Sequence, residues 1–264
     1  MTAASDEGGG TASSRVASHR AQSERKGGLL REVGIIVGSA LILSILVRTF
    51  LVQAFYVPSE SMEDTLRVSD RIIASKITTS IAGVQRGDVV VFRDPGGWLP
   101  DPVPATGASG VIREALTFVG LLPSSSGQDL VKRVIGVAGD RIQCCDAKGR
   151  IVVNGVGLNE SAYIKPGDTT DQVDFDVTVP PGSVFVMGDN RSNSRDSRYH
   201  LEDNSGGVPV GNVVGKVVVV VWPLISAGTL GTPTVFTNPA LDARAGKPVP
   251  TLPPAGAGKA VPGE

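Results

Sequence analysis

A single apolar run narrows the folds open to this chain more than any other feature. Val33 to Val47 is fifteen residues without a charge, Arg48 interrupts, and Thr49 to Val57 continues mostly apolar. A membrane span needs about 20 residues, so the pattern predicts one transmembrane helix over 29–56 that runs past Arg48. The long Arg48 side chain would snorkel to the interface, with Phe55 and Tyr56 at the outer boundary. A cleaved secretory signal is the competing reading. The basic leader is long for that, and no small-residue cleavage pattern follows Val47. Arg15, Arg20, Arg25, Lys26 and Arg31 precede the run, which places the amino terminus in the cytoplasm and everything after Val57 outside. No second span is expected: Val213–Val221 is too short, and Pro223, Gly228, Gly231 and Pro233 break up the stretch beyond it.

The flanks differ from the middle. Residues 1–28 are rich in Ser, Ala, Gly and charge without hydrophobic periodicity, and read as a disordered cytoplasmic tail. Residues 240–264 are Pro, Gly and Ala with scattered charge, a second tail without a fold. Between them, 57–239 is an extracytoplasmic domain large enough to bury a core. Twenty-five basic and 26 acidic residues, with no basic block, argue against a nucleic-acid partner. The two cysteines, Cys144 and Cys145, are adjacent, which excludes a disulfide-stapled scaffold and a Cys-rich zinc site. His19 and His200 are the only histidines, too few for a His-based triad or a His-rich metal centre. No cofactor and no metal is expected.

Within the domain, Arg71–Ala74, Asp88–Phe92, Leu130–Asp140, Arg150–Gly155, Asp174–Val179 and Ser183–Met187 read as strands, several of them continuous apolar runs bounded by turns. Asn154-Gly155 is a hairpin signal. The fold class is therefore mainly β. From about 94 to 128 the composition shifts to Pro, Gly and Ser, with an island at Val111–Leu122 that could be a short amphipathic helix on the domain or on the membrane surface.

Three stretches carry chemistry. Val57 to Leu66 reads Val-Pro-Ser-Glu-Ser-Met-Glu-Asp-Thr-Leu, and Pro58 favours an extended Val57. Ser59 and Ser61 behind it are either a loop start with a helix cap, or a nucleophile presented with its own backbone N–H. In Leu130–Asp140, alternation puts Lys132, Val134 and Gly136 on one face, Arg133 and Ile135 on the other. A strand lysine is usually solvated, but in an apolar cleft it would lose its proton more easily. Falling from about 10.4 to the pH 7–8 range corresponds to about 4 kcal/mol, which burial can supply. Gly188 to Arg198 packs acids, arginines and hydroxyls into one loop. That loop is either an exposed turn or a locked brace in which a small hydroxyl such as Ser194 orients a catalytic group.

Taken in order, Val-Pro-Ser-Glu-Ser-Met at 57–62, Arg-Gly-Asp-Val-Val-Val-Phe at 86–92, Lys-Arg-Val-Ile-Gly-Val-Ala-Gly-Asp at 132–140 and Gly-Asp-Asn-Arg-Ser-Asn-Ser-Arg-Asp-Ser-Arg at 188–198 resemble the boxes of bacterial type I signal peptidases, over roughly Arg31 to Pro223. The resemblance implies an antiparallel β catalytic body with a smaller β insertion at about 140–182, preceded by one transmembrane helix. It implies a membrane-bound serine endopeptidase that removes signal peptides from exported preproteins after an Ala-X-Ala type site. Ser61 would be the nucleophile and Lys132 the general base. The Ser61 N–H and the Ser59 hydroxyl would form the oxyanion hole, and Ser194 would orient Lys132. Arg133, Asp189, Arg191, Asp196 and Arg198 would brace the site. The preprotein would lie along the strand at Val131-Lys132, and Phe55, Val57, Pro58, Phe92 and Val131 are the candidate lining of its small-residue pockets. Exported preproteins and the lipid bilayer are the partners this implies.

Val137-Ala138 stands where the family often has Leu-Pro, and the 94–128 stretch is an addition. Cys144-Cys145 could form a vicinal bridge or stay as two thiols. Two rivals differ in kind. A self-cleaving repressor with a Ser–Lys dyad would need a DNA-binding domain where this chain has its apolar run. A non-catalytic β scaffold would have no need of Ser61, Lys132 and Ser194 together.

Overall fold

The structure is a computed structural model that describes residues 31–47, 51–100, 128–170 and 172–242. The expectations for 1–28, for Val111–Leu122 and for the chain beyond 242 lie outside these residues.

Residues 31–47 form helix α1, its Val, Ile and Leu side chains largely exposed. The expected continuation of this helix to residue 56 is corrected. Val52–Tyr56 is strand β1, paired residue by residue with β2 (Arg71–Ser75), from Val52 opposite Ser75 to Tyr56 opposite Arg71. A continuous apolar stretch reads alike as a membrane helix and as a buried strand; here the β2 backbone supplies the hydrogen bonds and Phe55 enters the domain core. Among the described residues, no helix is long and apolar enough to cross a membrane. The junction is tight: Leu51 N–H donates to the Val47 carbonyl at 2.8 Å, and the Leu51 carbonyl accepts from Lys76 N–H at 2.9 Å. Lys76–Ala82 is helix α2, capped by the Ser75 hydroxyl.

The remaining strands are β3 (Val89–Arg93), β4 (Asp129–Val137), β5 (Arg141–Cys144), β6 (Val152–Val153), β7 (Val156–Gly157), β8 (Phe175–Thr178), β9 (Ser183–Met187), β10 (Val208–Pro209), β11 (Val213–Trp222) and β12 (Gly228–Thr229). They build two antiparallel sheets. The larger runs β1-β2-β11-β3-β4-β9-β10, with β12 on β11, and the smaller β7-β6-β5-β8. The smaller sheet spans Arg141–Thr178. Asn154 and Gly155, both at positive φ, form the turn between β6 and β7 that their sequence predicts.

Alternation along β4 fails after Val134, where a bulge shifts the pairing so that Val134 opposes Val186 and Gly136 opposes Phe185. A side chain at Gly136 would run into Ile142 at 2.4 Å, so the missing side chain is what lets the sheets cross here. Apolar residues gather in three clusters. One joins the two sheets around Ile135, Ile142 and Phe185, and one lies under β1 and β2 around Phe55, Met62 and Leu66. The third lies on the opposite face of the large sheet around Val90, Phe92 and Trp98.

Cys144 and Cys145 are joined by a disulfide. The first residues of the expected carboxy-terminal tail, 240–242, are folded. Pro239–Asp242 forms a 3-10 turn with Leu241 fully buried, Asn154 Nδ2 donates to the Leu241 carbonyl at 2.7 Å, and Arg86 bridges Asp140 and Asp242. One leucine among prolines and alanines is a weak sequence signal, yet it fills a core site. Leu241→Ala is expected to lower stability by about 2–3 kcal/mol, read as a lower thermal midpoint of the full chain in detergent; an unchanged midpoint would show that this segment is not part of the cooperative fold.

Candidate active site

Ser61 sits in a 3-10 turn, Glu60–Met62, entered from an extended Ser59 (φ −133°, ψ 161°). Met62 and Leu66 anchor the turn in the core under β1, so the buried Ser61 is held from below while Pro58 and Ser59 stay exposed. From the other side the chain leaving β9 closes on it: Asn190 N–H donates to the Ser61 carbonyl at 3.1 Å, and Asn190 Nδ2 to the Glu60 carbonyl at 3.1 Å.

Lys132 reaches the same point from β4. Its strand pairs with β3 along Val89–Arg93, while β9 joins only from Arg133 onward. The side chain is 3 % exposed and its Nζ hydrogen-bonds Ser61 Oγ. Burial lowers the ammonium to about 8; the Asp196 and Asp189 charges oppose that fall and the Arg198 charge adds to it. The Ser59 hydroxyl lies 3.3 Å from Ser61 Oγ. A hydroxyl, a backbone N–H and a weakly basic amine thus meet at one point.

The loop after β9 holds this arrangement through buried ion pairs. Arg133 grips Asp189 with two parallel bonds of 2.8 and 2.6 Å and donates to the Gly87 carbonyl, and Thr65 donates to the same carboxylate at 2.6 Å. Arg191 grips Glu160 at 2.8 and 2.7 Å and donates to the Gly188 carbonyl and to Thr170. Arg198 grips Asp196 at 2.8 and 2.9 Å and donates to the Arg191 carbonyl. Burial alone would raise the Asp196 carboxyl, but Arg198, Gly188 N–H and the Ser194 hydroxyl together hold it below the usual range. Tyr163 lies beneath both Arg133 and Arg191, at 4.5 and 5.9 Å from ring centre to guanidinium carbon, and its hydroxyl donates to Glu160. Burial and the Glu160 charge keep that phenol protonated well above its ordinary value.

All five expected bracing residues fall in this network. Ser194 lines the same cavity as Lys132. Its hydroxyl donates to Asp196 at 2.7 Å, and among the described residues the hydrogen bond from Lys132 goes to Ser61. A carboxylate two residues along the chain is the stronger acceptor and takes the proton. The expected pocket residues divide: Phe55, Val57 and Val131 share the cluster beneath Ser61, Pro58 is at the surface, and Phe92 lies on the opposite face against Trp98.

The family described as "Signal peptidase, peptidase S26" matches residues 30–222. The chain belongs to this signal peptidase family. A probable signal peptidase I of Mycobacterium leprae is 39 % identical over 238 residues, which cover 79 % of this chain and 81 % of the relative. A signal peptidase I of Mycobacterium tuberculosis is 38 % identical over 217 residues, 74 % of this chain and 73 % of the relative. One of Leptolyngbya laminosa is 34 % identical over 200 residues, 76 % and 83 % respectively. The chain is therefore a serine peptidase, a hydrolase.

Several residues of this signal peptidase site gave little sign of themselves in the sequence. Glu160, Tyr163 and Thr65 pair with groups far along the chain. Gly188 stood inside the polar motif without a role, yet a Cβ there would lie 2.3 Å from Ser194 Oγ and 2.4 Å from the Ser61 carbonyl oxygen. Its missing side chain is what lets the loop close on the serine. Gly188→Ala is expected to fold and to lose about 10²-fold or more in kcat/KM, because the Ser61 backbone must give way. Arg133→Met should instead unfold the domain more readily, by about 3–5 kcal/mol, since it leaves Asp189 buried without its partner.

Proposed function

We propose that the chain is a membrane-anchored endopeptidase that removes amino-terminal signal peptides from exported preproteins after an Ala-X-Ala type site, with Ser61 as nucleophile and Lys132 as general base. The observation that carries this reading is the buried Lys132 amine bonded to Ser61 Oγ, its proton affinity lowered by loss of water.

In this reading neutral Lys132 takes the Ser61 proton as Oγ attacks the carbonyl carbon of the scissile bond. The new oxyanion is met by the Ser61 N–H and the Ser59 hydroxyl. Lys132 returns the proton to the departing amine, which leaves as the new amino terminus of the mature protein. It then removes a proton from the water that releases the signal peptide from Ser61. The bracing pairs keep the loop rigid so that the amine stays dry, and Ser194 acts through Asp196 rather than on the base directly. The edge of β4 at Leu130–Lys132 that β9 does not cover is where an extended preprotein would add itself by main-chain bonds. Phe55, Val57 and Val131, with Pro58 at the mouth, would leave room beneath it for small side chains only.

Family membership supports a membrane setting, and so do the exposed Val, Ile and Leu of α1. The amino terminus would lie in the cytoplasm and the peptidase domain outside.

The test is cleavage of a preprotein with an Ala-X-Ala site by the full chain in detergent. Ser61→Ala and Lys132→Ala should each abolish turnover while keeping the wild-type circular dichroism, and Ser59→Ala should lower it about 10²–10³-fold. Below about 8 Lys132 is protonated and cannot accept the serine proton. The wild-type kcat/KM should therefore climb about tenfold per pH unit up to about 8 and then level off. Turnover by Lys132→Ala at the wild-type rate would remove lysine from the mechanism.

A further inference from the structure

Beside Ser61 and Lys132 lies a cavity of about 420 Å³ whose far end has no part in the bond-breaking just described. Trp98, Leu99 and Leu130 form its apolar lining, and Tyr199 and Arg195 line the same cavity. The apolar lining is stiff. Trp98 stacks face to face on the buried His200, with ring centres 4.3 Å apart and planes 7° apart, and meets Phe92 edge-on at 5.8 Å.

The charges around the cavity are uneven. Glu60 stands on the Ser61 side, where its carboxylate accepts from Asn193 Nδ2 at 3.0 Å. Arg195 lines the cavity. Of the three arginines in the 188–198 loop, Arg191 and Arg198 are fully buried in ion pairs with Glu160 and Asp196, while Arg195 is exposed and enters none of the ion pairs among the described residues. Its positive charge reaches the Trp98–His200 stack, where burial and Arg195 together hold the imidazole below its usual range. A guanidinium outside the ion pairs of the described residues, lining a cavity with Trp98 and Tyr199, suits an incoming carboxylate.

We infer that this end of the cavity is a subsite for an acidic side chain of the substrate, held by Arg195 between Trp98 and Tyr199. The inference rests on the peptidase reading and deepens it. The positions before the cut are taken up by small residues at alternate places and an apolar stretch behind them. The X between the two small residues points away from their pockets in an extended chain, so an acidic side chain that reaches this end of the cavity belongs to the other side of the cut, among the first residues of the mature protein.

The test uses the full chain in neutral detergent with peptides that share one Ala-X-Ala site and carry Asp, Asn or Lys at each of the first three positions after it. At one of these positions wild type should cleave the Asp peptide about threefold or more faster in kcat/KM than its Asn twin. Arg195→Gln should bring the two rates together, and Arg195→Glu should make the Lys peptide the better one. Equal Asp and Asn rates at all three positions, or a preference that Arg195→Gln leaves intact, would overturn the subsite while leaving the peptidase in place. So would an Arg195→Gln defect that appears only with anionic lipid and equally for every peptide, which would make Arg195 a headgroup contact. Wild type that cleaves no peptide would overturn the peptidase reading, and the subsite with it.

Discussion

Withdrawal of water from one amine is the constraint to which the rest of this domain answers. An exposed lysine at neutral pH is protonated and cannot take a proton from serine. Lys132 is shifted because its strand faces inward, β3 covers one edge, and the Ser61 turn together with the 188–198 loop covers the amine itself. Packing against a charged group is costly, so the protein surrounds it with elements that cannot move apart cheaply.

That requirement accounts for the density of buried ion pairs. Three guanidinium–carboxylate pairs lie within or beside one loop, and each would cost several kcal/mol if either partner were lost. Such pairs are poor sources of net stability compared with apolar packing. Their directional bonds do something apolar contacts cannot, which is to fix the loop in angle as well as in position. Tyr163, beneath two of the arginines and bonded to Glu160, ties that loop to the segment just after the small sheet's β7. The insertion is thereby part of the support for the site, even though its own strands stand apart from Ser61.

The strands were readable in the residues because they depend on neighbours close in sequence. The valine runs of β3, β4 and β9 and the Asn154-Gly155 turn are of this kind. Features set by distant partners were not readable. Val52–Tyr56 continues the apolar run of α1, and only pairing with β2 makes it a strand. Glu160 looked like any surface acid until Arg191, 31 residues on, was seen to bury it. Ser194 lines the same cavity as Lys132, and that its hydroxyl donates to Asp196 is something spacing alone does not pick out. Leu241 lay in a composition typical of tails.

The tight junction between α1 and β1 has a geometric consequence. Only four residues, 48–51, separate the end of the helix from the first strand, and Leu51 is bonded both to Val47 behind it and to Lys76 in the domain. Four residues reach at most about 14 Å even when fully extended. With α1 seated in a bilayer, the domain is moored on a short tether rather than swinging on a long one. Its groove would then sweep a thin layer over the lipid surface, and a bond far along an exported chain would pass out of range on distance alone, whatever its sequence.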